Sequence, residues 1–222
     1  MGIQSFGENF DRKKFFFARD VARDLTFELS SHLVPGMTEA EAHQLYRDLC
    51  KKYPIQKQWH PPKIRFGSNT LKNFKDESDP YVLKEEDIFF IDIGPVVEGH
   101  EADFGETFTL GNIFEQKRII ECSHLVFQEV RDHWMKTRSE GVALYEFAKT
   151  RATHYGYRLN MSSDGHRIGD FPHHIFFKGG IAECTENIVP DAWILEVHLE
   201  TMNRTFGAFF EDVLTDSDTE LQ

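Results

Sequence analysis

Apolar side chains recur at helical spacing over residues 11 to about 32, and the Pro35-Gly36 pair ends that pattern. Thr38-Glu39-Ala40-Glu41 has the residues of a capping box. A second helix therefore starts there and runs to about residue 52, with Ala42, Leu45 and Leu49 on its apolar side. Residues 59–66 enter a sheet after the Pro61-Pro62 pair, and the acidic, polar run over 72–79 predicts a loop. A hairpin is expected over 87–110, turning at Glu98-Gly99. Helical patterns follow over about 113–137 and 141–155, then a loop-rich stretch over 157–180. Two further strands are predicted over 193–201 and 206–215, before a frayed acidic tail over 216–222. Strands and helices in this order predict a mixed α+β domain with an antiparallel sheet, and no internal repeat is visible.

Acids inside the apolar segments turn the question from fold to chemistry. Asp92 closes the run Ile-Phe-Phe-Ile-Asp-Ile-Gly, a buried strand in which a charge is costly without a cation or other partner. A lone acid at a strand end is most often a cap or turn residue. Asp103 changes that balance, because strand side chains alternate with period two and a hairpin can set both carboxylates on one side of the sheet. With His166, Glu196 and Glu211 they make four carboxylates and one imidazole. Such a set can bridge two divalent cations about 3.5–4 Å apart, generate a hydroxide and clamp a tetrahedral intermediate.

The order and spacing of these residues carry a resemblance. Asp92-Ile-Gly, an Asp eleven positions on with Thr107 four beyond it, and Gly165-His166-Arg-Ile-Gly with His173 seven after the first His form its first part. Leu195-Glu196-Val and Phe210-Glu211-Asp-Val-Leu-Thr complete it. Over residues 64–215 the chain resembles the pita-bread metallopeptidases, which include methionine aminopeptidases, aminopeptidase P, prolidase and creatinase. The resemblance implies a curved antiparallel sheet with pseudo-twofold halves and a site at their junction. It implies that Asp92 chelates one ion, that Asp103 and Glu211 bridge both, and that His166 and Glu196 complete the other. Glu196 is also implied as the general base and acid, and His173 as the imidazole donating to the scissile carbonyl. Without the family, His173 reads as a surface member of a Pro-His-His triplet.

Four positions depart from the family pattern. Phe74 stands where a substrate-contacting His is expected, Val197 replaces a proline, His174 a Glu, and Arg167 a small residue. None removes a metal ligand, so they bear on substrate class. His60, in Trp59-His60-Pro61-Pro62, is the candidate to replace the missing imidazole at the pocket rim; its alternative is a solvated surface ring. His60, Phe74 and His174 are thus the expected substrate contacts.

At 222 residues and 40% hydrophobic content the chain can bury one substantial core. One catalytic domain over 1–222 is expected: a helical part over about 1–58, a metal-binding core over about 59–215 and the acidic tail. A net charge of -12 with dispersed basic residues excludes a nucleic-acid or anionic-lipid role. Three widely spaced cysteines without a Cys-x-x-Cys element fit free thiols in a reducing compartment, and no secretory or membrane-spanning run is visible, so a cytoplasmic protein is expected. The expected function is a dinuclear metal hydrolase, an aminopeptidase acting on the N-terminal residue of peptides, Xaa-Pro included. A hydrolase of a small non-peptide amide or specialised dipeptide, and a non-catalytic binding module, are the alternatives. The ions can be manganese, cobalt, iron or zinc. A homodimer is left open.

Overall fold

The computed structural model describes residues 2–173 and 177–217. Asp11 caps helix α1 (Arg12–His32) by accepting from the Lys13 and Lys14 amides, which satisfies donors that have no partner inside the helix. Thr38 and Glu41 close the predicted capping box of α2 (Glu39–Cys50). Strands β1 (Lys57–Gln58), β2 (Lys63–Phe66), β3 (Ile88–Ile93), β4 (Pro95–Val97), β5 (His100–Glu101) and β6 (Phe104–Thr109) follow. Then come α3 (Phe114–Thr137), α4 (Gly141–His154), β7 (Arg158–Leu159), β8 (His166–Arg167), β9 (Trp193–Glu200) and β10 (Gly207–Val213). The stretch expected to be loop-rich over 157–180 holds two short strands, both paired to β9.

The large sheet runs β2-β3-β6-β10-β9-β7, with β8 also on β9, and all its named pairings are antiparallel. Two hairpin-like pairs, β3–β6 and β9–β10, meet at the β6–β10 seam. Each half supplies two helices and then its strands, and each has its own core. One core joins α1 and α2 to the back of β2, β3 and β6; the other joins α3 and α4 to β9 and β10. Phe210 packs against both. Leu195, Val197 and Leu199 of β9 enter the second core, so Val197 is a packing residue, while Glu196 and His198 alternate to the opposite face.

The hairpin expected over 87–110 is divided between two sheets. Ile88 to Ile93 pair with β6 in the large sheet, whereas Val96 and Val97 pair with β5 in a small sheet completed by β1. The Glu98-Gly99 turn is present, with positive φ at both residues. The ladder parts beside Trp59 and His60. The Trp59 indole donates to the Ala102 carbonyl at 2.8 Å, and a Cβ on Gly94 would lie 2.0 Å from the His60 ring, so only glycine admits the imidazole there.

Candidate metal centre

One row of residues crosses the large sheet and builds the site. Asp92 on β3 lies opposite Gly105 on β6, Gly105 opposite Glu211 on β10, and Glu211 opposite Glu196 on β9. Three carboxylates thus share one level and one face, with a gap at Gly105. The gap is required: a Cβ at 105 would stand 2.7 Å from Glu211 Oε1 and 2.4 Å from the Phe209 ring. Asp103, two residues earlier on the same face, fills the space below that gap. Tyr145 of α4 inserts its hydroxyl into the backbone at the far end, donating to the Glu196 carbonyl at 2.9 Å and accepting from its amide at 3.2 Å.

Asp103 is the centre of the set. His60 Nε2 lies 3.1 Å from its Oδ1 and 3.5 Å from Asp92 Oδ1, and His166 Nε2 lies 2.8 Å from Asp103 Oδ2. His166 is also 3.9 Å from Glu196 Oε1. Asp92, Asp103 and Glu211 are buried. Without cations, burial, opposed by His60 and reinforced by Asp103, raises Asp92 to about 7. Burial, countered by His166 and reinforced by Asp103, raises Glu196 to about 8. Glu211 is driven up by burial and then by Asp103 and Asp92. Burial acts on Asp103 too, yet His60 and His166 outweigh it and hold this carboxyl well below the usual range. Burial would lower both imidazoles, but the facing carboxylates lift His60 and His166 to about 9.

This donor set fits divalent cations. Glu211 Oε1 is buried and has no hydrogen-bond partner, a costly state for a carboxylate unless a proton or a cation takes its place. Two groups of donor atoms are close enough to share an ion: His60, Asp92 and Asp103, and Asp103, His166 and Glu211. Four of the five residues expected as ligands fall in these groups, His60 joins them, and Glu196 stands beside them, opposite Glu211 and 3.9 Å from His166. His60 is neither a rim group nor a solvated ring: it is 7% exposed, within the acid cluster.

The site opens into a cavity of about 380 Å³, within the range of small-ligand pockets. His173 lines it and is buried, contrary to a surface reading. Its Nδ1 bonds Glu101 Oε2, and its amide donates to Glu101 Oε1 at 3.1 Å. Burial lowers the His173 pKa, against the pull of Glu101. Phe74 sits half out of the surface, edge-on to His60 at 5.5 Å between ring centres, with Lys63 Nζ 4.4 Å from its own. Phe90 and Phe209 form an apolar wall, 5.3 Å apart, beside His198. His174 lies outside the described residues. Arg167 does not line the cavity. It is buried, bonds the Ala192 carbonyl, and donates to the Ser5 carbonyl at 2.9 Å, which anchors the N-terminal segment.

Glu101, Gly105, Tyr145 and His198 were not among the expected site residues. Glu101 had one local signal, two positions before Asp103 and so on the same face of an extended segment. The others follow only from strand register and helix packing.

Known proteins share this fold. The model of metallopeptidase family M24 matches residues 17–214. A methionine aminopeptidase of Clostridium acetobutylicum is 28% identical over 148 residues, covering 63% of this chain and 58% of its own. The X-Pro aminopeptidase of Thermotoga maritima superposes with a TM-score of 0.73 at 20% identity, over 92% of this chain and 60% of that one. The prolidase of Pyrococcus horikoshii gives 0.74 at 18%, over 94% and 59%. The chain thus spans about three-fifths of the length of these relatives, and its architecture is the pita-bread fold. With the family model covering both halves and every strand of the carboxylate row, the chain belongs to metallopeptidase family M24.

Proposed function

We propose that the protein is a dinuclear metal hydrolase that removes an N-terminal residue from short peptides, Xaa-Pro peptides among them. The observation that carries this reading is the carboxylate row Asp92-Glu211-Glu196 around Asp103, drawn from both halves and containing a buried, unpartnered carboxylate oxygen. Asp92 would hold one cation, His166 and Glu196 the other, with Asp103 and Glu211 reaching both. When bound, the pair supplies Lewis acidity toward water and the scissile carbonyl. Manganese, cobalt, iron and zinc all suit carboxylate and imidazole donors.

The residues of the chain divide the remaining work. Glu196, half-buried at the cavity edge, takes a proton from the attacking water and returns it to the leaving amine. A carboxyl lifted by burial and drawn down by an adjacent cation is suited to both steps. His173, held by Glu101, is placed to hydrogen-bond the carbonyl oxygen as charge develops. Phe90, Phe209 and Phe74 enclose the substrate side chain and exclude water from it. Free cysteines at all three positions support a reducing compartment, as in the cytoplasm, and no described helix is long and apolar enough to cross a membrane.

The test is reconstitution of chelator-treated protein with each metal, metal analysis, and a peptide-library cleavage screen read by mass spectrometry. Two ions per chain and release of single N-terminal residues, lost in Glu196→Gln, are expected. Substoichiometric binding of every metal, or cleavage unaffected by Glu196→Gln, would overturn the reading.

A further inference from the structure

We propose that His60 is a direct ligand, through Nε2, of the cation held by Asp92 and Asp103, so that each ion of the pair has one imidazole. This rests on the dinuclear reading and adds a donor that the family resemblance does not supply. The geometry is symmetric about Asp103: His60 Nε2 faces Oδ1 at 3.1 Å and His166 Nε2 faces Oδ2 at 2.8 Å. Each ring is fixed in the same way, its Nδ1 within hydrogen-bond distance of a neighbouring backbone carbonyl, Pro61 at 2.9 Å and Arg167 at 2.7 Å. Nδ1–H donation to that carbonyl leaves the Nε2 lone pair aimed at carboxylates. A lone pair facing two acids is repulsive unless a proton or a cation lies between them.

The ring is also built into place. Trp59 stacks edge-on to it at 4.3 Å and is itself tied to Ala102, while Gly94 gives way beneath it. Such preparation on the main-chain side is what a metal-ligating histidine requires for orientation. A second imidazole shifts the site from manganese toward cobalt, iron and zinc, which take nitrogen donors more readily.

The experiment loads the chelator-stripped full chain with Co²⁺ and records proton NMR together with calorimetric titration. Two strongly shifted, solvent-exchangeable imidazole N–H resonances are expected, one from each Nδ1–H. His60→Gln should retain the fold by circular dichroism, lose one of these signals, and bind one of its two Co²⁺ ions at least about tenfold more weakly. A single shifted signal that survives in His60→Gln, or unchanged affinity for both ions, would overturn the ligand assignment while leaving the dinuclear reading intact. Uptake of fewer than two ions by the wild type, no weaker in Asp103→Ala, would overturn the dinuclear reading and this proposal with it.

Discussion

Glu101 holds His173 from both its ring and its amide, so the two residues should fail unequally. His173→Ala is expected to keep its metal and lose turnover by about 10²–10³, the scale of one transition-state donor. Glu101→Gln should keep both metal and KM while losing on the order of tenfold to a hundredfold in kcat, as an orienting partner does; steady-state kinetics with parallel metal analysis separates them. Gly105→Ala is the opposite case. Its methyl would collide with Glu211 Oε1 at 2.7 Å, so metal uptake should fall although no ligand is altered, measured as ions per chain after reconstitution. The acids proposed as ligands were legible because an acid in an apolar strand is conspicuous. Gly105 was not, since its meaning lies in register with two other strands. The burial of His60 among the acids was not legible, because a Pro-Pro neighbour shows stiffness but not direction.

At the level of elements, helix spacing and capping residues were enough to fix α1 and α2, while the division of the 87–110 hairpin was hidden. That division depends on Trp59 and His60 reaching Ala102 and Gly94 from a distant part of the chain. Equally hidden was the contact that locks α1 to the sheet. Arg19 and Asp212 are both buried, joined through Nη2 and, at 3.0 Å, through Nε. Asp212 alternates with Glu211, so this pair sits behind the row of carboxylates. Arg19→Met removes the cation facing a buried carboxylate and should destabilise the protein by about 3–5 kcal/mol, whereas Arg19→Met with Asp212→Leu should recover most of that loss. Urea unfolding of the three proteins decides it.

On the scale of the molecule, the site stores protons when cations are removed. Above 6.5, the ordinary imidazole value, the unfolded chain has released protons that the folded chain still holds on Asp92 (about 7), Glu196 (about 8), His60 and His166 (about 9). The folded state then binds more protons than the unfolded one, so stability must fall as pH rises from 6.5 to 9. In chelator, Tm should decline across that window; with saturating divalent cation the decline should shrink, because the ions require their ligands deprotonated. The pairing of two halves was only implied by resemblance, since the halves share an order of elements, each around its own core, rather than a visible sequence repeat. Their junction has a kinetic consequence. Asp103 and Glu211 lie on opposite sides of the β6–β10 seam, and neither half alone presents both. Cations can therefore reward only a state in which the seam has closed. If closure comes after the folding barrier, added metal will leave the refolding rate nearly unchanged and act on the other limb, prolonging the life of the native state by slowing its unfolding.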